Sequence, residues 1–170
     1  MQTEFLIVGV VMQRRLLNNP WQPHAWRPMA VLTDADPAPG MQHLLDEEAD
    51  ARWLHRGFEV GLYRDEAEGY HLNATAPAPC WFIMWRIEEI DGAELAVPKR
   101  VTLSYNEAAR MMDGGEQVDT LPLDADTLAA LSDYAAAHYR PEPKGKRRRP
   151  SFEGGAAVQR MATDGGTDER

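Results

Sequence analysis

The stretch Cys80-Trp81-Phe82-Ile83-Met84-Trp85-Arg86-Ile87, followed by Asp91-Gly92 and then by Leu95 to Leu103, decides the fold class. Successive side chains of a strand point to opposite faces. Trp81, Ile83, Trp85 and Ile87 then share one face, while Phe82 and Met84 occupy the other. A strand apolar on both sides is internal to a covered sheet. Asp-Gly is a common hairpin turn between strands, and Leu95 to Leu103 supplies the returning partner, with Pro98 marking an edge or a bulge. The pairing this predicts is antiparallel, unlike a chain of βαβ crossovers.

Upstream, Phe5 to Leu16 is apolar on both strand faces until Arg14-Arg15, and Asn18-Asn19-Pro20 ends it. Trp21-Gln22-Pro23-His24-Ala25-Trp26 reads as an aromatic loop whose prolines exclude regular pairing over most of its length. Met29 to Leu32 supplies a second strand and Asp34 to Gly40 a loop. Residues 41–50 are ambiguous: Met41, Leu44 and Leu45 fit a short helix, but Asp46-Glu47-Glu48 sits at the wrong end for its dipole. Trp53 to Tyr63 is a strand, 64–69 a charged turn, and Tyr70 to Asn73 its antiparallel return.

Downstream, Ser104-Tyr105-Asn106-Glu107 matches a capping box, in which Ser104 accepts the Glu107 amide and the Glu107 carboxylate returns to the Ser104 amide. Ala108, Ala109, Met111 and Met112 form a helical stripe that Asp113-Gly114-Gly115 stops. Val118 to Leu121 is a short strand. Asp124 caps a second helix, with Leu128, Leu131 and Ala135 on one face. The expected architecture is α+β: a curved, mainly antiparallel sheet, barrel-like in one version, with two C-terminal packing helices. Residues 1–143 form one acidic domain, and 144–170, lacking an apolar pattern, form a basic and then polar disordered tail.

Composition narrows the chemistry. The 170 residues are 44% hydrophobic and 26% charged, enough to bury a core. The formal charge of -9 is uneven: 10 Lys and Arg face 22 Asp and Glu in residues 1–139, whereas 140–149 hold six basic residues and one acidic. So acidic a body repels a phosphate backbone. Cys80 is the one cysteine, which excludes an intramolecular disulfide and any thiolate-rich zinc or iron–sulfur site. No His-x-x-x-His or Cys-x-x-Cys pair occurs, and no cofactor motif is present. Cys80 reads as a core or rim residue, Ser104 as a cap, and Asp113-Gly114-Gly115 as a helix stop rather than a phosphate loop. Glu4 precedes the first apolar run and the arginines follow it, the reverse of a secretory signal, so a folded first strand and a cytoplasmic protein are expected.

Two features remain as candidate contact sites. Trp21 and Trp26, with Arg27, lie among Pro20, Pro23 and Pro28, which lower the cost of ordering the segment. That composition suits a protein-contact hot spot; the alternative is a lid folded over an open end of the sheet. Lys144, Lys146, Arg147, Arg148 and Arg149 form a basic block that suits an acidic protein face or, less well without interleaved aromatics, a nucleic acid; the alternative is that it only solubilises the tail.

The ordered set Arg14-Arg15, Asn19-Pro20-Trp21, Trp26-Arg27-Pro28, Leu62-Tyr63-Arg64, Tyr70-His71-Leu72-Asn73, Val101 to Ala108 and the basic block resembles a small bacterial family catalogued as domain of unknown function 3305. Trp21, Trp26, Arg27, Tyr70 and Asn73 match its recurrent pattern. Members are often encoded beside accessory proteins of molybdenum-dependent formate dehydrogenases. The resemblance implies a role in assembling, maturing or regulating such an enzyme. With the tryptophan loop, the basic block and no catalytic constellation, the expectation is a non-enzymatic accessory protein that binds a protein partner, a formate dehydrogenase subunit or accessory protein on that resemblance. Two other classes stay open: a cofactor-handling protein or small enzyme with a site drawn from distant residues, and a nucleic-acid-binding regulator using the basic block.

Overall fold

The computed structural model describes residues 4–141. Seven strands and three α-helices follow in the order β1 (Glu4–Leu16), β2 (His24–Leu32), β3 (Gly40–Asp46), β4 (Asp50–Leu62), α1 (Ala67–Ala74), β5 (Cys80–Ile90), β6 (Ala93–Thr102), α2 (Tyr105–Asp113), β7 (Gln117–Pro122) and α3 (Ala125–His138). They form two separate antiparallel sheets, β2-β1-β4-β3 and β6-β5-β7.

Both doubly apolar strands are internal, as is β4 between β1 and β3. β1 lies between β2 and β4, and β5 between β6 and β7. Val8, Val10 and Met12 of β1 project into one core with Val60 and Leu62 of β4, Trp81 and Ile83 of β5, and Leu131 of α3. The other face of β5 carries Phe82, which meets Tyr105 of α2 edge-on at 6.2 Å. β5 is therefore covered on both sides, as its composition requires.

The curved or barrel-like sheet is not what forms. No strand is shared between the two sheets, and each sheet keeps two end strands paired on one side only. The expected return strand at 70–73 would have extended the first sheet beyond β4; that segment is α1 instead. Ala67, Tyr70 and Ala74 stand three and four positions apart, on one helical face, and a period-two reading of so short a segment cannot register this. Tyr70 and Tyr134 of α3 meet edge-on at 5.7 Å. Thus three helices are present, α1 between the sheets in sequence, α2 between β6 and β7, and only α3 at the C-terminal end of the described body.

Three smaller expectations change as well. Residues 40–46 are an edge strand rather than a helix, which removes the dipole conflict of the acidic cluster. β2 begins at His24, so Trp26 belongs to a strand; Pro28 is tolerated because β2 is an edge and a bulge opposite Val11/Met12 shifts the register there. Ser104 does cap α2, accepting the Glu107 amide at 3.0 Å. The reciprocal half of the box is absent, because the Ser104 amide donates to Thr102 Oγ1 at 3.0 Å. The Glu107 carboxylate is taken by Thr102, at 2.6 Å, and by Arg100, at 2.7 Å. Asp124 caps α3 as expected.

An open aromatic and cationic cleft

The β1–β2–β4 register builds the candidate site. Arg14 pairs with Trp26 on one side and Ala51 on the other, and Met12 pairs with Trp53. Directly paired residues project to the same face, so Arg14, Trp26 and Trp53 converge. The two indoles lie 5.4 Å apart, tilted by 38°. His43 of β3 stacks on the outer side of Trp53 at 4.4 Å. The Arg14 guanidinium carbon stands 6.0 Å from the Trp26 ring and 5.6 Å from the Trp53 ring, within reach of both π-faces.

In front of this row opens a cleft of about 530 Å³, lined by Arg14, Trp21, Pro23, Trp26, Ile87 and Glu94 among others. One wall is the β1–β2 end of the four-stranded sheet and the other is the β5–β6 hairpin. Trp21, in the connection from β1 to β2, is 91% exposed. Its amide is fixed by the Asn19 side chain at 2.9 Å, and the connection is closed by Leu17 donating to the Pro23 carbonyl at 2.7 Å. Trp26 is half-buried at the floor. The segment is thus divided: Trp26 packs within β2, whereas Trp21 stands exposed at the mouth.

Arg27 is not brought to the cleft. As Trp26's neighbour it projects to the opposite face, where its Nε donates to Gln13 Oε1 at 2.8 Å and Gln13 donates to Asp50 Oδ1 at 3.0 Å. Arg52 also donates to Asp50, at 3.0 and 2.7 Å. The Arg52 and Gln13 hydrogen bonds hold the Asp50 carboxyl down at about 2. Lys144, Lys146, Arg147, Arg148 and Arg149 lie outside the described residues.

The remaining polar candidates have structural work. Asn73 is buried and clamps three segments: its Nδ2 donates to the Cys80 and Leu103 carbonyls at 2.8 and 2.9 Å, and its Oδ1 accepts the Cys80 amide at 3.0 Å. The Tyr70 hydroxyl accepts the Tyr63 amide at 3.0 Å and donates to the Gly61 carbonyl at 3.2 Å; burial raises its ionisation well above that of a free phenol. Ser104 donates to Glu66 Oε1 at 2.6 Å, and Arg110 holds the other oxygen of that carboxylate at 2.5 Å. Burial also pushes the Cys80 thiol up, away from the thiolate a nucleophile needs. Among the described residues, no group of three or more His, Cys, Asp or Glu side chains is placed to hold a metal ion.

Sequence reasoning missed Arg14 and Trp53. The signal was present as an apolar run ending in Arg14-Arg15, but which strand paired with Trp26, and in what register, is a tertiary fact. No helix among the described residues is long and apolar enough to cross a membrane.

Fold and site together define a two-sheet α+β domain with an open cleft in which one arginine lies beside a packed pair of indole rings. The chain belongs to the family described as protein of unknown function (DUF3305), whose model matches residues 7–148. Neither the curated proteins nor the solved structures include a match to it.

Proposed function

We propose that this protein is a non-enzymatic accessory factor that binds a protein partner through the cleft between the β1–β2 connection and the β5–β6 hairpin. The observation that carries the reading is the division of labour between the two tryptophans. Trp26 is locked against Trp53 and Arg14, while Trp21 presents nearly its whole side chain to solvent on a connection pinned by backbone and Asn19 hydrogen bonds. A large exposed aromatic beside a cleft, on a connection whose backbone is already ordered, is a usual anchor of a protein interface. The family resemblance directs the choice of partner to a subunit or accessory protein of a molybdenum-dependent formate dehydrogenase, met in the cytoplasm during assembly, maturation or regulation. The basic residues 144–149 supply a second contact on the same reading.

Affinity capture from the native host, with the parent chain and the Trp21→Ala variant side by side, tests this. Mass spectrometry should identify one partner that the parent retains and the variant loses, while both chains unfold at the same denaturant concentration. Retention by the variant at parental yield would remove the cleft from the proposal.

A further inference from the structure

Of the ten Lys and Arg in residues 1–139, six are committed to carboxylates, Lys99 on Glu88 among them. Arg52, Arg56, Arg86, Arg100 and Arg110 hold Asp50, Asp36, Glu116, Glu107 and Glu66, at separations from 2.5 to 3.2 Å. Arg14 is one of the other four, and it lines the cleft. It makes no ion pair and no hydrogen bond among the described residues, and its Nε is sealed from solvent without a partner. This occurs in a segment where acidic residues outnumber basic ones by more than two to one, so a carboxylate would have been easy to supply from within the chain.

An arginine lying against the edge of an indole pair, its Nε out of solvent, has lost part of its hydration before anything binds. Its planar fork of donors matches a carboxylate in two-point geometry. We infer that the partner seats an Asp or Glu side chain on Arg14 and lays an apolar neighbour of that residue against Trp21 and Ile87. Trp21, Pro23 and the exposed Ile87 form the apolar part of the cleft, next to Arg14 rather than opposite it in kind. Glu94 on the hairpin wall, and the acidic body behind it, repel a polyanion. The cleft therefore selects a single negative charge in an apolar setting, not an acidic run or a nucleic-acid backbone. The inference rests on the docking reading above and specifies the chemistry of what docks.

The test uses the full chain and capped heptapeptides, acetylated and amidated so that the central side chain is the only charge. One pool carries Glu at the centre with Leu, Phe, Trp or Ala on each side; the second carries Gln in its place. Calorimetry at low salt should show the Glu pool binding at least about tenfold more tightly than the Gln pool, the factor one charge-assisted hydrogen bond supplies. That advantage should shrink as salt is raised and vanish in Arg14→Gln. Because Arg14→Gln also removes packing against the indoles, the Nε–H resonance of Arg14 in the unaltered chain is followed as well, and the Glu pool alone should shift it. Equal binding of the two pools, no binding of the Glu pool at millimolar concentration, or an unmoved Arg14 resonance would overturn the inference. The two readings fail separately. Partner capture lost in Trp21→Ala with equal pools leaves docking intact and sinks the carboxylate. Capture retained in Trp21→Ala with a Glu-selective shift of Arg14 does the reverse.

Discussion

Replacing Asn73 by Ala isolates the clamp that joins the two halves of the fold. Asn73 is 1% exposed and uses both ends of its amide: two donated hydrogen bonds to the Cys80 and Leu103 carbonyls and one accepted from the Cys80 amide. It thereby fastens the end of α1 to the start of β5 and to the residue that follows β6. Each intramolecular hydrogen bond contributes roughly 1 kcal/mol net, and a buried polar group stripped of its partner costs about 1–3 kcal/mol. Three bonds lost, with carbonyls and an amide left in a buried site, give a destabilisation of about 3–5 kcal/mol. Domains of this size are stable by only about 5–15 kcal/mol, so the variant should lose a large part of its margin. Urea unfolding followed by tryptophan fluorescence reads the change as a shift in midpoint at constant slope. Asn73→Asp should be at least as damaging, since a carboxylate would then face two carbonyl oxygens. Asn106→Ala is the control: its amide meets Glu68 at an exposed site, and its loss should stay within about 0.5 kcal/mol. A loss below about 1 kcal/mol in Asn73→Ala would refute the clamp and return Asn73 to the list of candidate functional residues.

Four further outcomes follow from the same structure. His55 is 7% exposed, has no partner for Nε2, and is driven by burial down to about 4. The unfolded chain takes up that proton near 6.5 and the folded chain only near 4, so stability is full above about pH 6.5. It is lost as pH falls through this window, by roughly 3 kcal/mol at its lower end, and unfolding midpoints at pH 7, 5.5 and 4.5 should show a slope that His55→Leu flattens. Trp21→Ala should leave stability within about 0.5 kcal/mol of the parent, whereas Trp26→Ala, which removes a half-buried ring with its indole and arginine contacts, should cost about 2–4 kcal/mol by thermal or urea unfolding. Gly69→Ala should destabilise by more than about 1 kcal/mol, because a Cβ there would run into the Ser104 hydroxyl. Ser104→Ala should cost about 1–3 kcal/mol, since it removes the α2 cap and leaves Glu66 one hydrogen bond short.

The polar groups that sequence alone left undecided between folding and function separate once their neighbours are visible. Tyr70 and Asn73 belong to the family's recurrent pattern, and both turn inward to satisfy backbone groups. Arg27 is drawn to the far face of β2 by the two-residue alternation that puts Trp26 in the cleft. Of the aromatic segment, Trp21 alone remains free of packing.

Local chemistry determined the strands that are apolar on both faces, the Asp91-Gly92 turn, and the helices begun by Ser104 and Asp124, because hydrophobic period, turn residues and caps are properties of neighbours in the chain. It did not determine that 67–74 coils into a helix, that 40–46 lies on a sheet edge, or that the strands divide into two open sheets. Those outcomes depend on which distant surfaces are available to bury a short segment, and a segment of seven or eight residues carries too few apolar positions to state its own period. The cleft belongs to the same class of fact: Arg14, Trp26 and Trp53 are separated by up to 39 positions, and only the register of β1 between its two neighbours makes them touch.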